Sequence, residues 1–144
     1  MNMKEQVALV SGAGSEQGIG MAIARRLGLA GARVLVTASS PRIEQRAAEL
    51  RQEGIEACAW VADLTDEQQV AELAAWAEAQ WGRVDILVNN AGMAMQGSPE
   101  PFAELADMDL LTWNLSIARN LTTAFLLTRA VLPGMQARGF GRIV

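Results

Sequence analysis

The sequence contains no histidine and no tyrosine, one cysteine at Cys58 and one lysine at Lys4. A single cysteine rules out an internal disulfide, and without histidine the usual ligand set for zinc cannot be assembled, so no metal is expected. Basic residues are too few for a cationic patch: the net charge is −4, which argues against nucleic acid as a partner. The opening MNMKEQ has no apolar run of the signal-peptide kind, and no later stretch is long and uncharged enough to span a bilayer. The expected compartment is therefore the cytosol, with no membrane partner. What the chain does have is a 51% share of hydrophobic residues beside 19% charged ones, which suits a globular α/β domain and argues against disorder. Its 144 residues make one domain, 1–144.

The most informative stretch is VALVSGAGSEQGIGMAIA, from Val7 to Ala24. Val7 to Val10 is a short, uniformly apolar run, the pattern of a strand buried on both faces in a parallel sheet. Gly12, Gly14, Gly18 and Gly20 follow, permitting positive φ and close approach of a ligand to the backbone. From Met21 the apolar residues Ile23, Ala24, Leu27 and Ala30 recur at helical spacing, so the glycines lie at a helix N-terminus. Free N–H groups and the positive dipole end suit a pyrophosphate there. Taken alone, the pattern fits an ordinary strand-to-helix turn equally well.

Further along, Arg33 to Thr37 and Glu56 to Val61 are β-rich runs, and Val84 to Val88 is a fourth strand. Helices are predicted over Glu44 to Glu53, after Pro41, and from a Thr65 cap with Gln68 as its capping-box partner through to Trp81, where Gly82 stops it. A loop rich in Met, Gly and Pro runs from Met93 to Pro101. A long apolar helical region with one break reaches Ala137, and Arg142-Ile143-Val144 opens a fifth strand. Strands alternating with helix-length crossovers imply a doubly wound α/β fold with a parallel sheet ordered 3-2-1-4-5. Ligands in such sheets bind beyond the strand ends where the order reverses, between strands 1 and 4.

The glycine turn ending Gly18-Ile19-Gly20, Asp63-Leu64, Asn89-Asn90-Ala91-Gly92, and Trp113 followed by Asn120-Leu121 stand in an order and spacing that resemble the short-chain dehydrogenase/reductase family. The likeness covers Val7 to Val144 and is closest in style to 3-oxoacyl-[acyl-carrier-protein] reductases. It implies a Rossmann fold and hydride transfer between a nicotinamide cofactor and a small carbonyl or alcohol substrate. Gly12, Ser15, Gly18 and Ile19 would wrap the phosphates and adjoining ribose, with Gly20 allowing close helix packing. Asp63 would accept from the adenine amino group beside the Leu64 backbone, and Asn90 with Ala91 would contact the adenosine ribose. Asn120 would hold a water in the proton relay. Each has a plainer reading: Asp63 as a loop cap before Thr65, the Asn-Asn-Ala-Gly turn as turn chemistry, Asn120 as a buried hydrogen-bonding group. Asn89 is read as a tie from strand 4 to its neighbours. The four tryptophans, the methionines and Cys58 are assigned to core or partly covered surface.

The sequence departs from the family turn by two extra residues, read as bulging outward at Glu16-Gln17 because an acid beside phosphates is repelled. The acid that would select NAD at the end of strand 2 is replaced by Ala38, while Ser39, Ser40 and Arg42 could donate to a 2′-phosphate. NADP is therefore expected over NAD, although Ser39-Ser40-Pro41 serves equally as a helix cap. The family's catalytic tyrosine, lysine and serine follow strand 5, inside which this sequence ends. The 144 residues on their own are expected to lack turnover and to pair through the long helix. The rival reading is a non-catalytic dinucleotide-binding or dimerisation module.

Overall fold

The computed structural model describes residues 3–92 and 103–144. The strands are β1 (Val7–Ser11), β2 (Arg33–Ala38), β3 (Ala57–Val61), β4 (Ile86–Val88) and β5 (Arg142–Ile143). All neighbouring pairs are parallel, and the order β3-β2-β1-β4-β5 is the one the alternation predicts. The helices are α1 (Ile19–Leu29), α2 (Arg42–Gln52), α3 (Glu67–Trp81), α4 (Leu110–Ile117) and α5 (Thr123–Arg138), the last two joined by a π-helical turn, Ala118–Thr122. The predicted loop from Met93 to Pro101 lies outside the described residues. Among the described residues no helix is long and apolar enough to cross a membrane.

The two-residue period of a strand divides the core. Ala8 and Val10 of β1, with Val34 and Val36 of β2, pack with Met21 and Ala24 of α1 and with Ile43 and Leu50 of α2. Val7, Leu9 and Leu35 point the other way, onto Leu73 and Ala77 of α3 and Leu127 and Val131 of α5. β1 is thus apolar on both faces and fully buried, which is why its sequence does not alternate.

Three details differ from the sequence reading. The cap of α3 is Asp66, whose Oδ1 accepts the backbone N–H groups of Gln68 at 2.8 Å and Gln69 at 3.1 Å. Thr65 instead donates through its N–H and hydroxyl to Asp63. The carboxylate one residue on outcompetes the hydroxyl because it accepts both first-turn amides. β4 begins at Ile86, because the chain before it is occupied by a buried carboxylate. Asp85 Oδ2 accepts the Val7 N–H at 2.9 Å while both its oxygens take the Arg83 guanidinium. The break in the long helix is the π turn, and the helix continues through it and past Pro133.

Candidate functional site

The site is built where β1 and β4 end side by side. Gly12 has φ +67°, and a side chain there would bring its Cβ within 2.7 Å of Ala91 Cα. At Gly20 a Cβ would lie 2.6 Å from both Asn90 Nδ2 and the Gly12 carbonyl oxygen. These two glycines let the turn, the start of α1 and the end of β4 touch backbone to backbone. Gly18 is the N-cap of α1, with no side-chain cap and no acid in the first turn. Its N–H donates to the Ser15 carbonyl at 3.1 Å. Among the described residues no side chain caps this helix N-terminus.

Ser11, which the sequence reading did not single out, holds the two strand ends together. Its hydroxyl donates to the Val88 carbonyl at 3.0 Å and accepts the N–H groups of Asn90 at 2.9 Å and Ala91 at 3.0 Å. Asn90 returns the connection, its Nδ2 donating to the carbonyls of Ser11 at 3.0 Å and Gly12 at 3.1 Å. The signal for Ser11 was a polar side chain closing an apolar run directly before the first glycine. Asn89 ties β4 outward as expected: its N–H donates to the Val144 carbonyl and its Nδ2 to Thr128 Oγ1 on α5.

Gly12, Ser15, Ser39, Asp63, Leu64, Asn90 and Ala91 all border one cavity of about 810 Å³. Gly18, Ile19 and Gly20 are not on its wall but form the start of α1. Asn120 is not on the wall either. It stands in the π turn, exposed, with Nδ2 donating to the Ser116 carbonyl at 3.0 Å. Its Oδ1 lies against Gly92, where an added Cβ would come within 2.7 Å, and Gly92 does border the cavity. Asp63 performs the plainer role foreseen for it: Oδ1 takes both donors of Thr65, and the Asp63 N–H donates to Gln69 Oε1.

At the cavity's far end Ala38 leaves β2 without an acid, and Ser39, Ser40 and Arg42 border the space beside it. Arg42 Nε donates to Ser40 Oγ over a long 3.4 Å. Arg46, also on the wall, escaped the sequence reading. Its side chain is only 8% exposed and its Nε has no hydrogen-bond partner among the described residues. The guanidinium pairs with Glu49 on its own helix and, at 3.6 Å, with Glu16 in the glycine turn. Glu16 is exposed, as the outward bulge predicts, yet its carboxylate turns toward α2 and the cavity, drawn by a buried cation. Burial pushes the thiol of Cys58 in β3 above its ordinary value.

A doubly wound parallel sheet with a glycine-rich turn at its switch point defines a class of nucleotide-binding folds. The family model described as short chain dehydrogenase matches residues 6–144, and the chain belongs to that family. It is 45% identical over 141 residues to a Streptomyces violaceoruber protein named as a ketoacyl reductase of the granaticin polyketide synthase, covering 96% of this chain and 49% of that protein. Among solved structures, a metagenomic short-chain oxidoreductase in complex with NADP is 39% identical with a TM-score of 0.85, over 98% of this chain and 61% of that one. A gluconate 5-dehydrogenase from Burkholderia cenocepacia J2315, in complex with NADP and tartrate, gives 33% and 0.87, over 99% of this chain and 53% of that one. The chain spans about half the length of the curated relatives it matches.

Proposed function

We propose that this chain is the cofactor-binding portion of an NAD(P)-dependent short-chain oxidoreductase that moves a hydride between NADP(H) and a small carbonyl or alcohol substrate. The observation that carries the reading is the cradle between the ends of β1 and β4. Gly12 and Gly20 let the turn, the start of α1 and the end of β4 meet backbone to backbone, and α1 presents an uncapped N-terminus with no acid in its first turn. A diphosphate fits that chemistry, since backbone amides and the helix dipole both favour an anion.

In this reading Gly12, Ser15, Gly18 and Ile19 hold the phosphates and adjoining ribose, while Gly20 keeps α1 tight against the turn. Asp63 and the Leu64 backbone take the adenine; Oδ2 of Asp63 accepts no hydrogen bond among the described residues, so it is available to an amino donor. Asn90 and Ala91 stand at the adenosine ribose, held in place by Ser11. Ser39, with Ser40 and Arg42, faces the ribose 2′ position. Asn120, in a π turn of the kind common at functional sites, positions water for proton transfer. When bound, the nicotinamide supplies the hydride chemistry, and these residues supply position. The ketoacyl reductase likeness makes a 3-oxoacyl compound the substrate class of first choice.

NADP is preferred over NAD, because Ala38 offers no acid to a ribose hydroxyl and the neighbouring wall carries hydroxyl and guanidinium donors. Titration of the chain with NADPH and NADH, followed by protein-to-nicotinamide fluorescence transfer, tests this. Tighter binding of NADPH is expected; tighter NADH would overturn the preference, and binding of neither would overturn the function.

A further inference from the structure

Buried arginines are ordinarily satisfied at every donor, because an unpaired guanidinium N–H away from water costs a full desolvation penalty. Arg46 departs from this. Its side chain is more than nine-tenths buried, it borders the cavity beside Ser39 and Arg42, and its Nε donates to nothing among the described residues. Glu49, one turn along α2, holds one end of the guanidinium. The other end is met at 3.6 Å by a carboxylate from Glu16 that is 69% exposed. Glu16 belongs to the two-residue insertion in the glycine turn, so the contact joins the phosphate-binding loop to α2 along the cavity wall.

We propose that Glu16 is a built-in competitor for Arg46: its carboxylate occupies the guanidinium while no ligand is bound, and a phosphate on the adenosine ribose displaces it. The inference rests on the dinucleotide reading above and adds a mechanism that sets how strongly the phosphorylated cofactor is preferred. A loose ion pair whose carboxylate is exposed contributes little and yields readily to a better partner. A phosphate, with more charge and more acceptor oxygens, makes the stronger charge-assisted bonds to a guanidinium. A nucleotide without the 2′-phosphate gains nothing from displacing Glu16. The insertion thus restrains the preference for the phosphorylated cofactor instead of creating it.

Adenosine 2′,5′-bisphosphate and 5′-AMP differ only in the phosphate at issue, so they isolate the effect in chemical-shift titrations of the chain. Glu16→Gln changes an exposed side chain and leaves the fold intact. It is expected to tighten the bisphosphate about three- to fivefold and 5′-AMP by clearly less, the scale of one weak ion pair. Arg46→Gln is expected to weaken the bisphosphate about tenfold or more and to abolish the gain from Glu16→Gln in the double variant. In the unaltered chain the Arg46 Nε resonance should shift with the bisphosphate and stay still with 5′-AMP. Should Arg46→Gln fail to fold, Glu16→Gln and the resonance decide the matter. Equal tightening of both nucleotides by Glu16→Gln, or no change in either, overturns the competitor while leaving the dinucleotide reading intact. Failure of both nucleotides to bind the unaltered chain overturns the two together.

Discussion

At the scale of single residues, Ser11 ties the ends of β1 and β4 together without bordering the cavity. Its hydroxyl serves the Val88 carbonyl and the amides of Asn90 and Ala91 at once. Replacing it with alanine leaves two amides and a carbonyl to find water at a partly buried seam, a cost of about 1–3 kcal/mol. Ser11→Ala is therefore expected to lower the urea midpoint with an unchanged slope, and a loss under about 0.5 kcal/mol would show the knot to be dispensable. The glycines of the turn were legible because the absence of a side chain is itself the signal, and their spacing carries it. Ser11 and Arg46 were not, because their meaning comes from partners distant in sequence. The Ser11 bond to Val88 spans 77 residues, and Arg46 acquires its role only when the glycine turn folds over α2.

Single elements show how close a local pattern comes and where it slips. Thr65-x-x-Gln68 and Asp66-x-x-Gln69 both satisfy the spacing of a helix start, and the fold uses the second. Gln69 completes it from both sides, its Nε2 donating to Asp66 and its Oε1 accepting from Asp63. The backbone N–H of Gln69, then its side chain, hold the Asp66 carboxyl below the usual carboxylate range. A depressed folded-state value means that the stabilisation is present above the unfolded carboxylate value and is lost as pH falls through the folded one. Asp66→Ala is thus expected to lower the melting temperature by a few degrees at neutral pH, while Asp66→Asn, also a good cap, loses less. The gap between the parent and Asp66→Ala should close as pH drops below about 4. A gap that stays constant down to about pH 2 would rule out the charged cap. The π turn was legible only as a break, since widening one turn leaves the apolar spacing on either side of it nearly unchanged.

At the scale of the molecule, the strand order followed from the alternation of strands with helix-length crossovers read as a doubly wound fold, because parallel neighbours need helices between them and the handedness of those crossovers leaves few arrangements. The long helical region behaves differently. The sequence reads there as a long apolar helix, and Leu126 and Leu127 are buried with residues of α3. On the remaining faces Leu111 is 79% exposed, Leu121 62% and Phe125 55%, with Leu110 and Trp113 alongside. Apolar periodicity in a helix reports what must leave water, but not whether the partner is the same chain. We expect a second copy of the chain to cover this face, as the apolar stretch predicts for pairing through the long helix. Sedimentation velocity should then show mass rising with concentration. Leu121→Glu with Phe125→Glu should return the chain to a monomer without lowering its cooperative melt, since neither side chain is in the core. A chain that stays monomeric across the accessible concentration range, with a sharp melt, would refute the association. The exposed apolar face would then be compatible with a stable single copy, and the helix would be a surface of the folded unit.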